Sequence, residues 1–187
     1  MSKVSIANRA LALLGENKIT NLNDETQAAR SIKNMYQDSL KSILAECCWN
    51  FACKRAMLNV TKEKPAWGGG NYFQLPSDVI KIFKSTADFE IEGDKLLSRS
   101  GSVGILYTYL NEDDSRYSPQ FVDAFACRLA YDVSFDLTNQ SSKQESLLKL
   151  YHGHLLPIAK SANAKEKTPP TIKDDYWVNS IFGGVNG

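Results

Sequence analysis

The chain changes its hydrophobic pattern twice along its length. Residues 2–47 and 119–162 carry apolar residues at the three- and four-residue spacing of amphipathic helices. Residues 49–110 instead contain short β-prone runs that are separated by Gly and Pro. Apolar residues at three- and four-residue spacing cannot all lie on one face of a strand, so the two kinds of segment must form different structures. The sequence therefore predicts a helix pair, a small antiparallel sheet and a second helix pair.

Local signals place the ends of the helices. We predict four helices, over residues 2–14, 24–47, 119–138 and 142–162. Gly15 ends the first helix, Asp24 is expected to cap the second, and Ser118 followed by Pro119 begins the third. Pro157 lies inside the fourth helix and is expected to kink or divide it, because proline lacks a backbone N–H.

The β-prone segment, about residues 49–110, contains several candidate strands. "YFQLP" reads as a short strand that Pro76 ends, and "VIKIF" alternates apolar and polar residues as a half-buried strand does. "DFEIEGDKLLS" predicts a hairpin around residues 92–94, with "VGILYTYL" as its next partner. These elements predict one small antiparallel sheet.

The fold prediction is a mainly α protein of the α+β class. It consists of a bundle of about four helices with a small antiparallel β-sheet extension, and it forms one domain over residues 1–163. Residues 164–187 open with Lys, Glu and a Pro pair and close with Gly, which predicts an extended C-terminal arm.

The arm carries large apolar side chains that are costly to leave in water, at about 1.5–3 kcal/mol each. These residues are Tyr176, Trp177, Val178, Ile181 and Phe182. We expect them to dock on a partner or a neighbouring subunit, because aromatic anchors are common in interfaces. Docking on their own domain is the alternative.

Charge and hydropathy exclude some classes of protein. The net charge is +1, from 22 basic and 21 acidic residues, so the chain as a whole has no electrostatic attraction for nucleic acid. The N-terminus lacks a signal-peptide pattern, and no apolar run is long enough to span a membrane. We therefore expect a protein of a reducing compartment, whose four cysteines are free thiols.

The cysteines and histidines do not form a recognisable metal motif. Cys47 and Cys48 are adjacent and Cys53 follows five residues later, whereas zinc sites favour two ligands separated by two residues. His152 and His154 face away from each other if they lie on a helix. We predict no metal site.

Other candidate motifs are equally weak. The acidic run "NEDDS" at 111–115 lacks the spacing of a calcium loop. The glycine-rich pieces at 68–70 and 101–104 have neither a P-loop nor a dinucleotide pattern. We predict no catalytic residue and no cofactor.

The order of motifs resembles a known family. A first helix ending in Leu-Gly is followed by a long helix that runs into "WNFA" and a basic residue, then by "LPSD" and by the Ala-rich "FVDAFACRLA". The motif residues are Trp49, Asn50, Phe51, Ala52, Arg55, Leu75, Pro76 and Asp78. Over about residues 5–140, this succession resembles the head-to-tail adaptors of tailed bacteriophages, the family of tail tubular protein A.

The resemblance implies a structural protein of the virion, made in the host cytoplasm. It implies a twelve-fold ring of identical subunits below the portal ring, in contact with the portal and with the tail nozzle or other tail proteins. DNA would pass through its lumen, the C-terminal arm would reach the portal, and no membrane, cofactor or enzymatic activity would be involved.

Two alternatives remain open at this stage. The first is a thiol- or metal-dependent intracellular enzyme that uses the clustered cysteines and the histidine pair. The second is a non-viral helical module whose C-terminal arm binds another protein.

Overall fold

Helices precede and follow a β region in the computed structural model, which describes residues 2–167. The helices are α1 (Lys3–Leu14), α2 (Gln27–Leu44), α3 (Pro119–Thr138), α4 (Ser141–Leu150) and α5 (Leu156–Lys167). A π-helical turn, Tyr151–Leu155, joins α4 to α5, so that the two form one interrupted helix. Two short 3₁₀ turns, Asn50–Ala52 and Asp114–Arg116, stand at the entry to the β region and after its exit.

Within the described residues, six strands form two antiparallel sheets rather than one. The strands are β1 (Cys53–Leu58), β2 (Asn71–Gln74), β3 (Val79–Ser85), β4 (Glu90–Glu92), β5 (Lys95–Ser98) and β6 (Val103–Tyr109). The first sheet has the order β1–β6–β3 and the second has the order β2–β5–β4. The hairpin predicted around residues 92–94 is present as β4–β5, and Gly93 has the positive φ of 63° that its turn requires.

The predicted fold class, a mainly α bundle with one small sheet, is wrong. About 50% of residues 2–167 are helical and 19% lie in strands of two three-stranded sheets, so the protein is an α+β mixture and not mainly α. The error arose at β6, which does not extend the β4–β5 hairpin but lies between β1 and β3. The β1–β6 pairing joins residues 45 to 55 positions apart, and no local signal marks it.

Each half of the protein has its own core. In the helical half, α3 packs against α1, α2, α4 and α5, and it buries Phe121, Phe125 and Leu129 completely. The β region buries a second cluster between its sheets, made of Leu58, Phe73, Leu96, Val103, Ile105 and Tyr107. Because this cluster is separate from the helical core, the β region is a packed layer with its own core and not an extension lying on the surface of the helical bundle.

Two predicted helix boundaries need correction. The cap of α2 is Thr26, whose hydroxyl accepts the N–H of Ala29 at 3.2 Å. Asp24 instead accepts the backbone N–H groups of Thr20 and Asn21, which closes the preceding turn. At the other end, α5 continues to Lys167, so residues 164–167 are helical and do not belong to an arm.

Pro157 divides the last helix, as predicted. The N–H of Leu156 bonds to the carbonyl of Tyr151, five residues back, in place of the usual four. A proline has no N–H to offer the carbonyl four residues before it, and its ring would collide with that carbonyl in a regular helix. The wider π turn provides the necessary room.

Candidate functional site

The "WNFA" segment, residues 49–52, forms the junction between the helical core and the β region. Trp49 is completely buried, and its indole N–H donates to the carbonyl of Ile43 at 2.9 Å. Its ring meets Phe121 edge to face at 4.9 Å, and Phe51 meets the same ring at 4.8 Å. Phe51, unlike Trp49, is only partly buried. The motif therefore serves the internal packing of the protein.

Asn50 is held by a residue that sequence analysis did not single out. The Asn163 side-chain oxygen accepts the Asn50 backbone N–H at 2.8 Å, and the Asn163 carbonyl accepts the Asn50 side-chain amide at 2.9 Å. The Asn163 amide in turn donates to the carbonyl of Cys48 at 3.2 Å. Asn163 is 5% exposed, so these bonds stand in place of bonds to water. No sequence signal marks a single Asn in the last helix as their partner.

The Leu-Pro-x-Asp motif ties three strands together through its aspartate. The Asp78 carboxylate accepts the Lys54 ammonium at 2.8 Å and the Tyr107 hydroxyl at 3.1 Å, which joins β1, β6 and the start of β3. The Lys54 ammonium also lies 3.7 Å from the centre of the Tyr109 ring. The hydrogen bond from Lys54 is the main cause that lowers the pKa of Asp78 below its ordinary value.

The remaining motif residues lie at different positions in the β region. Leu75 is half-buried, and its N–H donates to the carbonyl of Asp94 at 3.2 Å. The Pro76 carbonyl accepts the N–H of Val79, which closes the turn before β3. Arg55 is exposed on β1 and has no ion-pair partner among residues 2–167. The eight motif residues thus do not converge on one cleft.

The expectation of four free thiols is wrong. Cys48 and Cys53 form a disulfide, with Cα atoms 5.8 Å apart, and it closes a loop around the junction segment. The 3₁₀ turn at Asn50–Ala52 brings the two cysteines together, which spacing alone did not suggest. Cys47 and Cys127 remain free, and burial raises the pKa of both thiols, that of Cys127 to about 11. A raised pKa disfavours the reactive thiolate.

The remaining polar motifs are engaged structurally or lie on the surface. His152 and His154 are exposed on the π turn. In the acidic run, the Glu112 carboxylate accepts a hydrogen bond from the Gln37 side-chain amide at 2.8 Å and also forms an ion pair with a lysine of α1. Asp113 is the N-cap of the 3₁₀ turn Asp114–Arg116. Within residues 2–167, no three His, Cys, Asp or Glu side chains are arranged to hold a metal ion.

An exposed apolar surface in the β region is the clearest candidate for a binding site. Trp67, in the "PAWGGG" loop, is 87% exposed, although Trp49 is completely buried. Five of the eight large apolar side chains exposed within residues 2–167 belong to this region: Met57, Val60, Trp67, Phe89 and Ile91. A tryptophan between Pro65 and three glycines is visible in the sequence, and this pattern indicates a loop but not the exposure of the side chain.

Trp67 stands at the edge of an open groove of about 920 Å³. Its apolar lining includes Tyr72, Phe89 and Leu97, and its acidic residues are Asp88, Glu90 and Glu92. A concave apolar surface with charges at its margin is typical of sites that bind another protein. We call it the acid-rimmed groove.

The predicted arm anchors, Tyr176, Trp177, Val178, Ile181 and Phe182, lie outside the described residues. Their docking stays a prediction. Among residues 2–167, no helix combines the length and hydropathy that a membrane span requires.

Comparison of the chain with models of protein families and with curated proteins gives no match. The resemblance to phage adaptors consequently rests on the order of the motifs alone.

Proposed function

We propose that the protein is a structural adaptor subunit of a phage head–tail connector, without enzymatic activity. Copies of it form a ring between portal and tail, in the twelve-fold arrangement that the resemblance implies, and DNA passes through the lumen. The observation that carries the proposal is Trp67, which is 87% exposed at the edge of an apolar groove. Exposed tryptophan beside a groove favours binding to a protein surface, because such side chains dominate the energy of interfaces.

The architecture supports a role in assembly. The helical half and the β region have separate cores, and the bonds of Asn50 to Asn163 and of Asn111 to Phe51 tie them at the junction. A connector subunit transmits force between two larger bodies, so its helical half and its β region should keep a fixed relative orientation. The junction supplies hydrogen bonds in addition to apolar packing.

The partners follow from the same proposal. The exposed surface of the β region would meet the tail nozzle or a neighbouring subunit, and the C-terminal arm would meet the portal. The protein would be found at the head–tail junction of the virion. The aromatic residues of the arm agree with this assignment, since tails with large apolar side chains need a surface to dock on.

Negative-stain microscopy of the protein mixed with portal-bearing capsids from the same phage tests the proposal. We expect a ring of added density directly below the portal, absent from capsids alone. A matched sample with bovine albumin in place of the protein controls for nonspecific decoration. If portal vertices stay bare at a large excess of folded protein, the adaptor assignment is wrong.

A further inference from the structure

The outer face of the β1–β6–β3 sheet carries three unpaired cations. In the register of the sheet, Arg55 and Lys84 flank Leu106 from the two edge strands, and Lys81 stands beside Thr108. Residues at paired register positions share a face, so the three cations lie within about 10 Å of one another at their backbones. All three are exposed, and none has an ion-pair partner among residues 2–167.

No acidic residue balances these cations on the same face. The remaining positions of the face are Cys53, Met57, Gly104 and Thr86. Met57 is 68% exposed and covers Gly104 so closely that an added Cβ there would lie 2.9 Å from its sulfur. We call Arg55, Lys81 and Lys84, together with Met57, the basic face.

The acid-rimmed groove has the opposite character. Asp88, Glu90 and Glu92 line it against a single guanidinium, that of Arg99. Asp88 and Glu90 are exposed and form no ion pair among the described residues. The groove therefore combines an excess of negative charge with the apolar surface of Trp67.

We infer that the basic face of one copy docks into the acid-rimmed groove of a second copy. Each surface offers an exposed apolar side chain, Met57 or Trp67, beside charges of opposite sign. The surfaces belong to different sheets of one chain, and no ion pair joins them among residues 2–167. A contact between two different patches of identical subunits is heterologous, which is the kind of interface that builds a ring.

This inference rests on the proposed function only in expecting a ring, since docking of two copies can be measured without any phage component. A second copy explains both surfaces at once. Nucleic acid would account for the basic face but would be repelled by the three carboxylates of the groove. The net charge of +1 also provides no general attraction for a polyanion.

Charge reversal tests the docking in the purified full-length protein. One variant carries Lys81→Glu with Lys84→Glu, and another carries Asp88→Lys with Glu90→Lys. Sedimentation velocity at about 0.05 M salt, where surface charges are weakly screened, should show that wild type self-associates. Each variant alone should associate at least about tenfold more weakly, since like charges then face each other.

An equimolar mixture of the two variants should regain association, because the acidified face of one now matches the basic groove of the other. A control variant, Arg30→Glu with Lys33→Glu, makes the same change in net charge on α2 and should behave as wild type. Circular dichroism verifies that each variant is folded, and Lys81→Gln with Lys84→Gln replaces the first variant if it is not.

Three results would each overturn the inference: a wild type that stays monomeric at low salt, a mixture that does not recover, or a control that weakens association equally. Binding of duplex DNA that only the face variant loses, without recovery of association in the mixture, would assign the basic face to nucleic acid instead. The adaptor assignment is decided separately, by density on portals.

Discussion

Asn163 in the last helix holds Asn50, at the entry to the β region, through both its side chain and its backbone. The two bonds, of 2.8 and 2.9 Å, join residues 113 positions apart in the sequence. They give the Asn50 backbone N–H an acceptor in a turn where neither a helix nor a sheet supplies one. The C-terminal helix is thus fastened to the junction, and not only to its neighbouring helices.

Asn163→Ala should destabilise the protein by about 1–3 kcal/mol, because it removes from a buried side chain both the acceptor of the Asn50 N–H and the donor to the Cys48 carbonyl. Urea denaturation followed by circular dichroism measures the change. Asn34→Ala, at an exposed position of α2, is the control and should fall within about 0.5 kcal/mol of wild type. Equal stability of the two variants would show that water replaces Asn163 without loss.

Trp49 and Trp67 should respond in opposite ways to replacement by alanine. Trp49→Ala empties a fully buried site and removes a hydrogen bond, so a loss of about 3–5 kcal/mol is expected. Trp67→Ala, at a position 87% exposed, should change stability by less than about 0.5 kcal/mol and should instead weaken the association of one copy with another. The two melting curves and sedimentation velocity at low salt separate these roles. An unchanged melting temperature for Trp49→Ala would contradict the packing described above.

The helices could be predicted from the sequence because their ends carry local signals. Ser118 accepts the N–H of Phe121 and Pro119 begins α3, while Gly15 takes a positive φ of 81° after α1. Each of these signals depends on hydrogen bonds or backbone angles among residues three or four positions apart. Thr26 shows the limit of such reasoning, since Asp24 is an equally good cap by type and the structure uses it in the preceding turn.

The sheets and the candidate site could not be predicted in the same way. The partners of β6 lie in β1 and β3, and alternation of apolar residues says nothing about which strand pairs with which. Likewise, exposure of Trp67 and proximity of Cys48 to Cys53 depend on how the chain turns at residues 50–52 and 65–70. From residue type alone, a tryptophan side chain is expected to be buried.

Reduction of the Cys48–Cys53 disulfide should lower the stability of the protein but leave assembly intact. The loop is short, so a chain-entropy argument gives only about 2 kcal/mol. Mass spectrometry without reductant should find the wild-type protein lighter by two hydrogens, and Cys48→Ser should abolish both the mass difference and the effect of reductant. Cys47→Ser is the control and should retain both. Stoichiometric zinc in the wild type, lost together with assembly in a Cys47, Cys48 and Cys53 triple variant, would contradict a purely structural role.

Asp78 should contribute to the acid dependence of stability. Its pKa is lowered in the folded protein, chiefly by the bond from Lys54, so the contribution is present above its ordinary value of 3.8 and is lost as the pH falls through the lowered value. Because the Asp78 side chain is 39% exposed, solvent screening keeps the effect below about 1 kcal/mol. Asp78→Asn should reduce stability at pH 7 and flatten the acid limb of a plot of unfolding free energy against pH. Lys54→Met should flatten the same limb, and an unaltered acid limb in both variants would show that the pair is not coupled to folding.

The C-terminal segment provides the last prediction. Truncation after Lys167 preserves α5 and its Asn163 contacts, so the shortened protein should remain folded, with a melting temperature close to that of the full chain. The shortened protein should no longer join portal-bearing capsids, because the apolar side chains of the segment are removed. Trp177→Ala with Phe182→Ala in the full chain should cause most of that loss, since large aromatic side chains carry a disproportionate share of interface energy. Asn179→Ala, a polar position between them, is the matched control and should bind as wild type does. Normal occupancy of portals by the truncated protein would show that the anchor lies elsewhere, whereas unfolding on truncation would show that the segment packs against its own domain.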